Sequence, residues 1–588
     1  MIEGTPVTAT GSDLSHPAIE VDPRTRFEIL GAVLLGLFLT ALDQTIVGPV
    51  LPQIVTQLHG SDLYTWVVTA YLVTSTVTIP IYGKLSDLYG RKPLLLAGIS
   101  LFLVGSALSG LSQEMWQLIL FRGIQGLGAG SLFPISLAII GDLFTPAERG
   151  KYQGVFGAVF GIAFIVGPGL GGFLTDNISW HWVFYVNLPI GFIALFVIAR
   201  LLPSIQRPAG GVDIDVAGVV TSALALVPIL IGLTNAEQGD WSDPAVWGFI
   251  AFGLVFLVLF VLAERRAKDP MVPLELFRNR TFTVSAIATF MASFGFFAAI
   301  IFLPLWFQVV QGASATASGY DLLPFLVGLM GTSILAGFLV SKTGHYKTLM
   351  LGGMVMLVVG LLLFTNLRAD TPTPVLWAWM FLAGVGIGPT MAIFTLIVQN
   401  AVPFKYLGTA TSDLTLFRQI GGTVGLTLGF TLFQNFLTLD LLKAQWAAAG
   451  IPQALLDQIP PGAIDLSNAT NVGAASNPIT AFTSQVPEQF RAIVEPLVPK
   501  FVEGFHQAFS IAIAQSLWLG VGAAVLALGT TFLLHELPLS STLGVTHGDT
   551  AAAASEAVAA GLAPEGAASM SPPEPAEAGR RERAPAPE

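Results

Sequence analysis

Apolar stretches of membrane-spanning length recur along the whole chain, each closed by a short polar or basic segment. A helix needs about 20 apolar residues to cross the hydrocarbon layer of a bilayer. Stretches of that kind run over 28–52, 63–83, 93–112, 115–143, 152–176, 181–203, 214–234, 245–263, 281–310, 319–341, 347–367, 374–400, 407–437 and 507–534. The pattern predicts fourteen transmembrane helices. Pro134, Pro168, Pro304, Pro324 and Pro389 fall inside these stretches. They do not interrupt the reading, because neighbours in a packed membrane bundle re-satisfy the backbone groups that proline frees.

Composition places most of the outer surface in lipid. Of 588 residues, 53 % are hydrophobic and only 11 % are charged, whereas a soluble chain carries roughly a quarter charged residues. The net charge of −11 sits largely in the tails and one long loop. No basic patch with interleaved aromatics appears, so nucleic acid is not an expected partner. The absence of cysteine excludes disulfides and thiolate metal sites. The seven histidines lack metal-ligand spacing, and no nucleophile–base pair points to an enzyme. The first 25 residues are polar, which leaves the first helix to serve as the insertion signal.

Charge in the loops gives the chain an orientation. Alternate loops between spans carry 15 Lys and Arg on one side and 4 on the other. Basic loops stay in the cytoplasm, so both termini are expected inside, in the cell (inner) membrane, with an even helix count. Residues 438–506 form the one long outer loop, rich in Ala, Pro, Asn and Gln. Loops beyond about 15 residues are usually functional or disordered. Residues 540–588 are dominated by Ala, Pro, Glu and Ser, a composition that cannot bury a core and reads as disordered.

The chain also repeats itself. Gly83-Lys84-Leu85 leading to Gly90 is matched by Gly337-Phe338-Leu339 leading to Gly344, at an offset of 254. Phe121 to Gly128 aligns with Phe381 to Gly388 at an offset of 260, which sets Leu382 opposite Arg122. The expected layout is an N-terminal tail (1–27), a six-helix bundle (28–203), a linker with two extra helices (204–280), a second six-helix bundle (281–537) and a tail (538–588). Parallel halves around a central cavity are a transporter architecture.

These residues spell out motifs. Gly83 through Ser86-Asp87 to Gly90-Arg91-Lys92, Leu120-Phe121-Arg122 to Gly126-Leu127-Gly128, and Gly157 and Gly161 through Gly167-Pro168 to Gly171-Gly172 follow one another in order. Leu42-Asp43-Gln44-Thr45 in the first span, Trp180-His181-Trp182 through Asn187 to Gly191, and Arg418-Gln419 to Gly421-Gly422 complete the series. The chain resembles the major facilitator superfamily, and within it the fourteen-helix drug:proton antiporters. The resemblance implies an all-α integral membrane fold of two six-helix bundles plus two inserted central helices. It also implies proton-driven efflux of amphipathic or cationic compounds, with no cofactor beyond the proton gradient. One departure is that Ser341 stands where Asp87 has its match.

Charged residues inside spans are the sharpest candidates, since each costs about 2.5–3.5 kcal/mol on insertion scales. Asp43 and Arg122 lie at compatible depths, roughly 13 and 10 Å from the outer ends of their helices at 1.5 Å per residue. They read as a proton-coupling pair or as a static lock between two helices. Arg418 and Asp413 are further coupling candidates, although an i, i+5 spacing does not stack them on one face. Asp413 reads equally as a cation site and as a near-interface residue reaching cytoplasmic water. Asp87 and Arg91 have the i, i+4 spacing of an ion pair. By resemblance they latch a cytoplasmic gate with Gly83, Gly90, Lys92, Asp142 and Arg149; the plain alternative is that the basic residues only set orientation. Gly157, Gly161, Gly167, Pro168, Gly171 and Gly172 allow close helix contact and a bend, and by resemblance mark exporters. Gln44, Gln125, Phe297, Trp306 and Gln308 are candidate substrate-cavity residues, the aromatics offering stacking and cation–π contact.

The expected partners are the bilayer, small amphipathic substrates and protons. A monomer is expected, with an envelope accessory protein left open. Two other functions stay in view: export of an endogenous amphiphile such as a lipid or siderophore, and proton-coupled uptake, against which Gly167-Pro168 counts.

Overall fold

The computed structural model describes residues 22–58, 63, 66–203, 215–238, 241–459 and 497–539, and among these there is no strand. Residues 1–21, 204–214, 460–496 and 540–588 lie outside the described residues, and with them most of the expected tails and the middle of the long loop. Fourteen long helices carry the fold: α1 (Pro23–Leu58), α2 (Trp66–Tyr89), α3 (Arg91–Ser109), α4 (Met115–Leu143), α5 (Pro146–Asn177), α6 (Asn187–Leu201), α7 (Val216–Gln238), α8 (Pro244–Glu264), α9 (Arg280–Val310), α10 (Leu323–Thr343), α11 (Lys347–Phe364), α12 (Thr373–Ala401), α13 (Leu407–Phe436) and α14 (Val498–Phe532). Short helices Trp182–Tyr185 and Ala315–Asp321 lead into α6 and α10, and Leu439–Ala448 follows α13.

Thirteen spans are long and apolar enough by themselves to cross a membrane. The remaining one, α13, qualifies only together with Leu439–Ala448, from which it is bent by 59°. The cause lies in its sequence: Thr409, Thr411, Ser412, Asp413, Thr415 and Arg418 are all buried in the protein rather than turned to lipid. Hydropathy elsewhere follows position in the same way. The most apolar span, α8, has a mean hydropathy of 2.8 and only 11 % of its window buried, while α4, at 1.5, is 78 % buried. In a bilayer the solvent is the apolar phase, so polar side chains retreat to the centre of the bundle.

Helices α1–α6 share two apolar cores and α9–α14 a third. Close approach within each bundle rests on glycine, as expected where small residues let membrane helices touch. A Cβ on Gly126 would meet Tyr71 O of α2 at 2.5 Å, and one on Gly128 would meet Phe102 N of α3 at 2.4 Å. In the second bundle a Cβ on Gly384 would meet Phe325 O of α10 at 2.1 Å, and one on Gly386 would meet Leu357 N of α11 at 2.2 Å. The structural register therefore pairs Gly126 with Gly384 and Gly128 with Gly386, an offset of 258 and not 260. Met380, not Leu382, stands opposite Arg122. The loop repeat keeps its offset of 254, and both of its closing glycines, Gly90 (φ 91°) and Gly344 (φ 72°), have positive φ, which only glycine adopts freely.

The inserted pair is central in the sequence and peripheral in the structure. Helices α7 and α8 pack on each other through Gly232 and Gly253, and α7 lies against both α2 and α13. Leu230 joins Val73 and Val77 of α2 in one small apolar cluster, and the indole of Trp241 donates to Thr431 Oγ1 of α13. The pair thus straddles one seam between the bundles, while α5 and α10 form the other.

Both ends of the described chain reach the same face. Arg26 at the start of α1 lies over Phe144 between α4 and α5. The segment after α14 returns to the α10–α11 junction, where Tyr346 Oη donates to His535 O and Glu536 Oε1 accepts from Tyr346 N. This face is the basic end of the molecule.

Candidate functional site

Asp43, fully buried on α1, is the centre of a polar cluster inside the first bundle. Arg122 Nη1 of α4 donates to its Oδ2 at 2.6 Å. Its Oδ1 accepts from Gln125 Nε2 at 2.8 Å and from Asn187 Nδ2 of α6 at 3.0 Å. Asn187 also donates to Ser106 Oγ of α3, which donates to Phe184 O. The Arg122 guanidinium sits 4.2 Å from the ring centre of Tyr71 on α2 and donates from Nε to Val67 O. Every charge here has a partner, as a buried pair requires to offset its desolvation. Three helices, α1, α4 and α6, meet on this carboxylate, and α2 and α3 are tied in through Arg122 and Asn187, so a change of charge there is felt across the bundle.

At the basic end a second network crosses between the bundles. Asp87 Oδ1 pairs with Arg91 Nη1 at 2.6 Å and accepts from Gly408 N at 3.0 Å. Its Oδ2 accepts from Thr409 N at 2.7 Å and Thr409 Oγ1 at 2.8 Å. A carboxylate of the first bundle thus caps the N-terminus of α13, where exposed N–H groups and the helix dipole favour negative charge. Arg91 Nε reaches Asp142 Oδ2 at 2.9 Å. Arg149 donates to Gly141 O and Phe144 O at the end of α4, and to Gln399 O of α12. Gln153 donates to Gln399 Oε1 at 2.7 Å. Gly83 abuts Ser412, where a Cβ would clash at 2.0 Å. Lys92 is half-buried at the start of α3. The basic end is closed along both seams.

Helix α5 carries the glycine–proline motif and touches both bundles. Gly150, Gly154 and Gly157 face Gly337 and Ser333 of α10, and Gly161 faces Met330. Gly167 and Gly171 face Thr45 and Ile46 of α1 instead, whereas Gly172 meets only Thr316, at 3.6 Å. Within a turn or so of Pro168, Thr45 Oγ1 donates to Ala163 O at 2.9 Å.

The second bundle's charges stand differently. Asp413 is 1 % exposed, and both of its carboxylate oxygens lack a hydrogen-bond partner among the described residues. Arg418 does not pair with it; its guanidinium lies 5.8 Å from the ring centre of Phe133 on α4, across the interface. Of the candidate cavity residues, Gln125 belongs to the Asp43 cluster and Gln44 is exposed. Phe297 is half-buried under Gly422, and Gln308 donates to Ser318 Oγ. Trp306 is fully buried with its indole on Ser510 Oγ, so in this state it packs α9 on α14 and presents no free surface to a ligand.

Sequence reasoning missed Asn187, Ser106 and Tyr71 as companions of Asp43, and Thr409 and Gln399 as partners at the basic end. A buried Asn opening an otherwise apolar span was a usable signal for the first. The others are brought in by tertiary packing and leave no local mark.

The chain matches the family model described as Major Facilitator Superfamily over residues 33–426. It is 36 % identical over 524 residues to the Multidrug transporter protein MdtP of Bacillus subtilis (strain 168), covering 87 % of this chain and 93 % of that one. To Multidrug resistance protein 3 of the same organism it is 38 % identical over 422 residues, covering 71 % and 82 %. Among solved structures, the proton:xylose symporter XylE superposes with a TM-score of 0.56 at 14 % identity, covering 91 % of this chain and 100 % of that one.

Proposed function

Because the chain belongs to the major facilitator superfamily and is a multi-pass membrane transporter of small solutes, we propose that it exports amphipathic or cationic compounds against an inward flow of protons. The relatives named for multidrug transport and resistance support efflux as the direction. One observation carries the coupling: Asp43 is fully buried, yet tied to Arg122 and Gln125 of α4 and to Asn187 of α6.

A proton reaching Asp43 from the outer side removes its charge and releases Arg122, which has Val67 O and the Tyr71 ring to hold it. Loss of the grip lets α1 and α4 shift relative to α3 and α6. The closed basic end then opens, the proton leaves to the inside, and substrate binds. Re-formation of the Asp43–Arg122 pair and of the Asp87 cap on α13 returns the cavity to the outer side, where substrate departs. In this reading the basic end faces the cytoplasm of a cell membrane, as the loop charges require, and the chain works as a monomer.

The test is transport in proteoliposomes under an imposed pH gradient. Asp43→Asn should insert and fold normally, retain substrate exchange without a gradient, and lose gradient-driven accumulation. Gradient-driven rates equal to those of the unmodified chain would remove Asp43 from the coupling.

A further inference from the structure

Two carboxyl groups outside the central cluster meet where the inserted pair joins α2. Asp215 caps α7: its Oδ1 accepts from Gly218 N at 2.7 Å. Glu264, 3 % exposed at the end of α8, accepts from Val272 N through Oε2 at 3.0 Å. The second oxygen of each, Asp215 Oδ2 and Glu264 Oε1, is buried without a hydrogen-bond partner among the described residues. Both point at the same spot. A Cβ on Gly218 would stand 2.3 Å from Asp215 Oδ2 and 2.7 Å from Glu264 Oε1. Glycine at 218 is therefore what leaves room for the two groups to face each other.

The surrounding charges do not neutralise them. Lys84 of α2, the cation on the facing helix, is committed to Asp269 in a pair whose acid is 40 % exposed. From α13, the charged neighbour is Asp413, another acid. The two free oxygens, 2.3 and 2.7 Å from one point, are no more than 5.0 Å apart. Two like charges that close cannot both be held cheaply, and a shared proton is the usual resolution. A shallow crevice lined by Ile81, Lys84, Leu85, Asp215 and Asp269 reaches this junction from the α2 side.

We infer that Asp215 and Glu264 form a second proton-binding site, holding one proton between them at the junction of α7, α8 and α2. Its occupancy sets how firmly the inserted pair seats on the seam between the bundles. When the proton is lost, repulsion between the carboxylates pushes α8 from the start of α7, at the end of the seam that Asp87 closes.

The experiment is an infrared titration of protonated carboxyl groups in the full-length chain, reconstituted in lipid nanodiscs. The background carries Asp43→Asn and Asp413→Asn, so that the buried acids inside the bundles are silent. Expected is a protonated carboxyl at neutral pH, one per chain, lost in both Glu264→Gln and Asp215→Asn. Full retention of that band in both variants overturns the assignment, as does its displacement by sodium, potassium or magnesium, which would make this a metal-cation site. Glu264→Gln keeps an oxygen for Val272 N and should fold. As a second readout, the unfolding midpoint of the unmodified chain should fall as pH rises through the pair's titration and stay level in Glu264→Gln. A midpoint that falls equally in the variant also overturns the proposal. Neither readout needs transport, so failure here is distinguishable from failure of proton-driven export.

Discussion

The two seams place a polar side chain at equivalent points of the repeat and use it differently: Asp87 caps α13, whereas Ser341 meets the second turn of α5, whose start Thr145 and Glu148 cap. On the α2–α13 seam, Asp87 accepts from Thr409 N at 2.7 Å. On the α5–α10 seam, Ser341 Oγ accepts from Lys151 N at 3.1 Å. Ser341 follows Asp87 by the offset of 254 that relates α2 to α10, and Thr409 follows Lys151 by the 258 that relates α5 to α13. The glycines that let the seams close match as well: Gly83 on Ser412, Gly337 on Gly150. What the halves do not share is charge. Arg122, with Asp43 to hold, stands opposite Met380, which is wholly buried among apolar neighbours. Among the described residues, the duplicated scaffold therefore carries buried ion pairs in its first half, while Asp413 and Arg418 of the second stand unpaired. Closing such a structure is a property of both halves, while the proton coupling proposed for Asp43 draws on one.

The largest effect should come from making the first bundle copy the second at its centre. Arg122→Met leaves Asp43 buried without its cation, and breaking a buried pair from one side costs about 3–5 kcal/mol. The folded fraction and thermal midpoint in detergent should drop sharply, and adding Asp43→Asn should recover most of the loss. If the single variant is as stable as the parent, the Asp43–Arg122 pair is not what holds α1 to α4.

Next comes the seam. Asp87→Ser installs the second half's neutral side chain in the first, removing the pair with Arg91 and one charge-assisted cap, worth about 1.5–3 kcal/mol. The absence of cysteine allows spin labels at Tyr89 and Lys405, both exposed on either side of the seam. Their distance distribution should gain a longer component in Asp87→Ser. An unchanged distribution would make the Asp87 network incidental to closure.

Glycine substitutions sharpen the scaffold side of the comparison. Gly128→Ala and Gly386→Ala force a methyl to within 2.4 and 2.2 Å of a neighbouring backbone nitrogen. Overpacking of this sort costs about 1–3 kcal/mol, and the two losses in thermal midpoint should be alike. A large imbalance would mean that the halves are not packed by the same device.

How much of this was legible beforehand depends on range. Helix number and alternation follow from local hydropathy, and only α13 strained that rule, because its polar face is covered by protein. The glycine run explains the mistaken register. Glycines recur at every second position in both Gly126–Gly130 and Gly384–Gly388, so a slip of two keeps them aligned. Only the helix each one faces decides between the registers. Asp43, Arg122 and Gln125 were visible because polar groups inside an apolar span are costly. Asn187 stood out only as part of a motif and Ser106 not at all, because what makes them companions of Asp43 is a meeting of α1, α3 and α6 that no periodicity encodes. Trp306 looked like a ligand surface from composition, yet a serine on α14 claims its indole.

The smallest expected effect is the most discriminating, because it moves charge from one seam to the other. Ser341→Asp places a carboxylate beside Lys151 in the second turn of α5, where an exposed ion pair contributes about 0–1 kcal/mol. Lys151, whose N–H already points at Ser341 Oγ, supplies a nearby cation. Alone, the change should slightly narrow the label distribution at the basic end. In the double variant Asp87→Ser, Ser341→Asp, it should recover part of the closed population lost by Asp87→Ser, if any acid reaching across a seam suffices to close the structure. Arg91 and Asp142 argue for a limit to that recovery, since they bind Asp87 and each other on one side only. Recovery of the closed state without recovery of transport would separate the polar contact across a seam, which both halves own, from the ionic network around Arg91, which one half owns. No recovery of either would mean that the acid at 87 acts through Arg91 rather than through the end of α13.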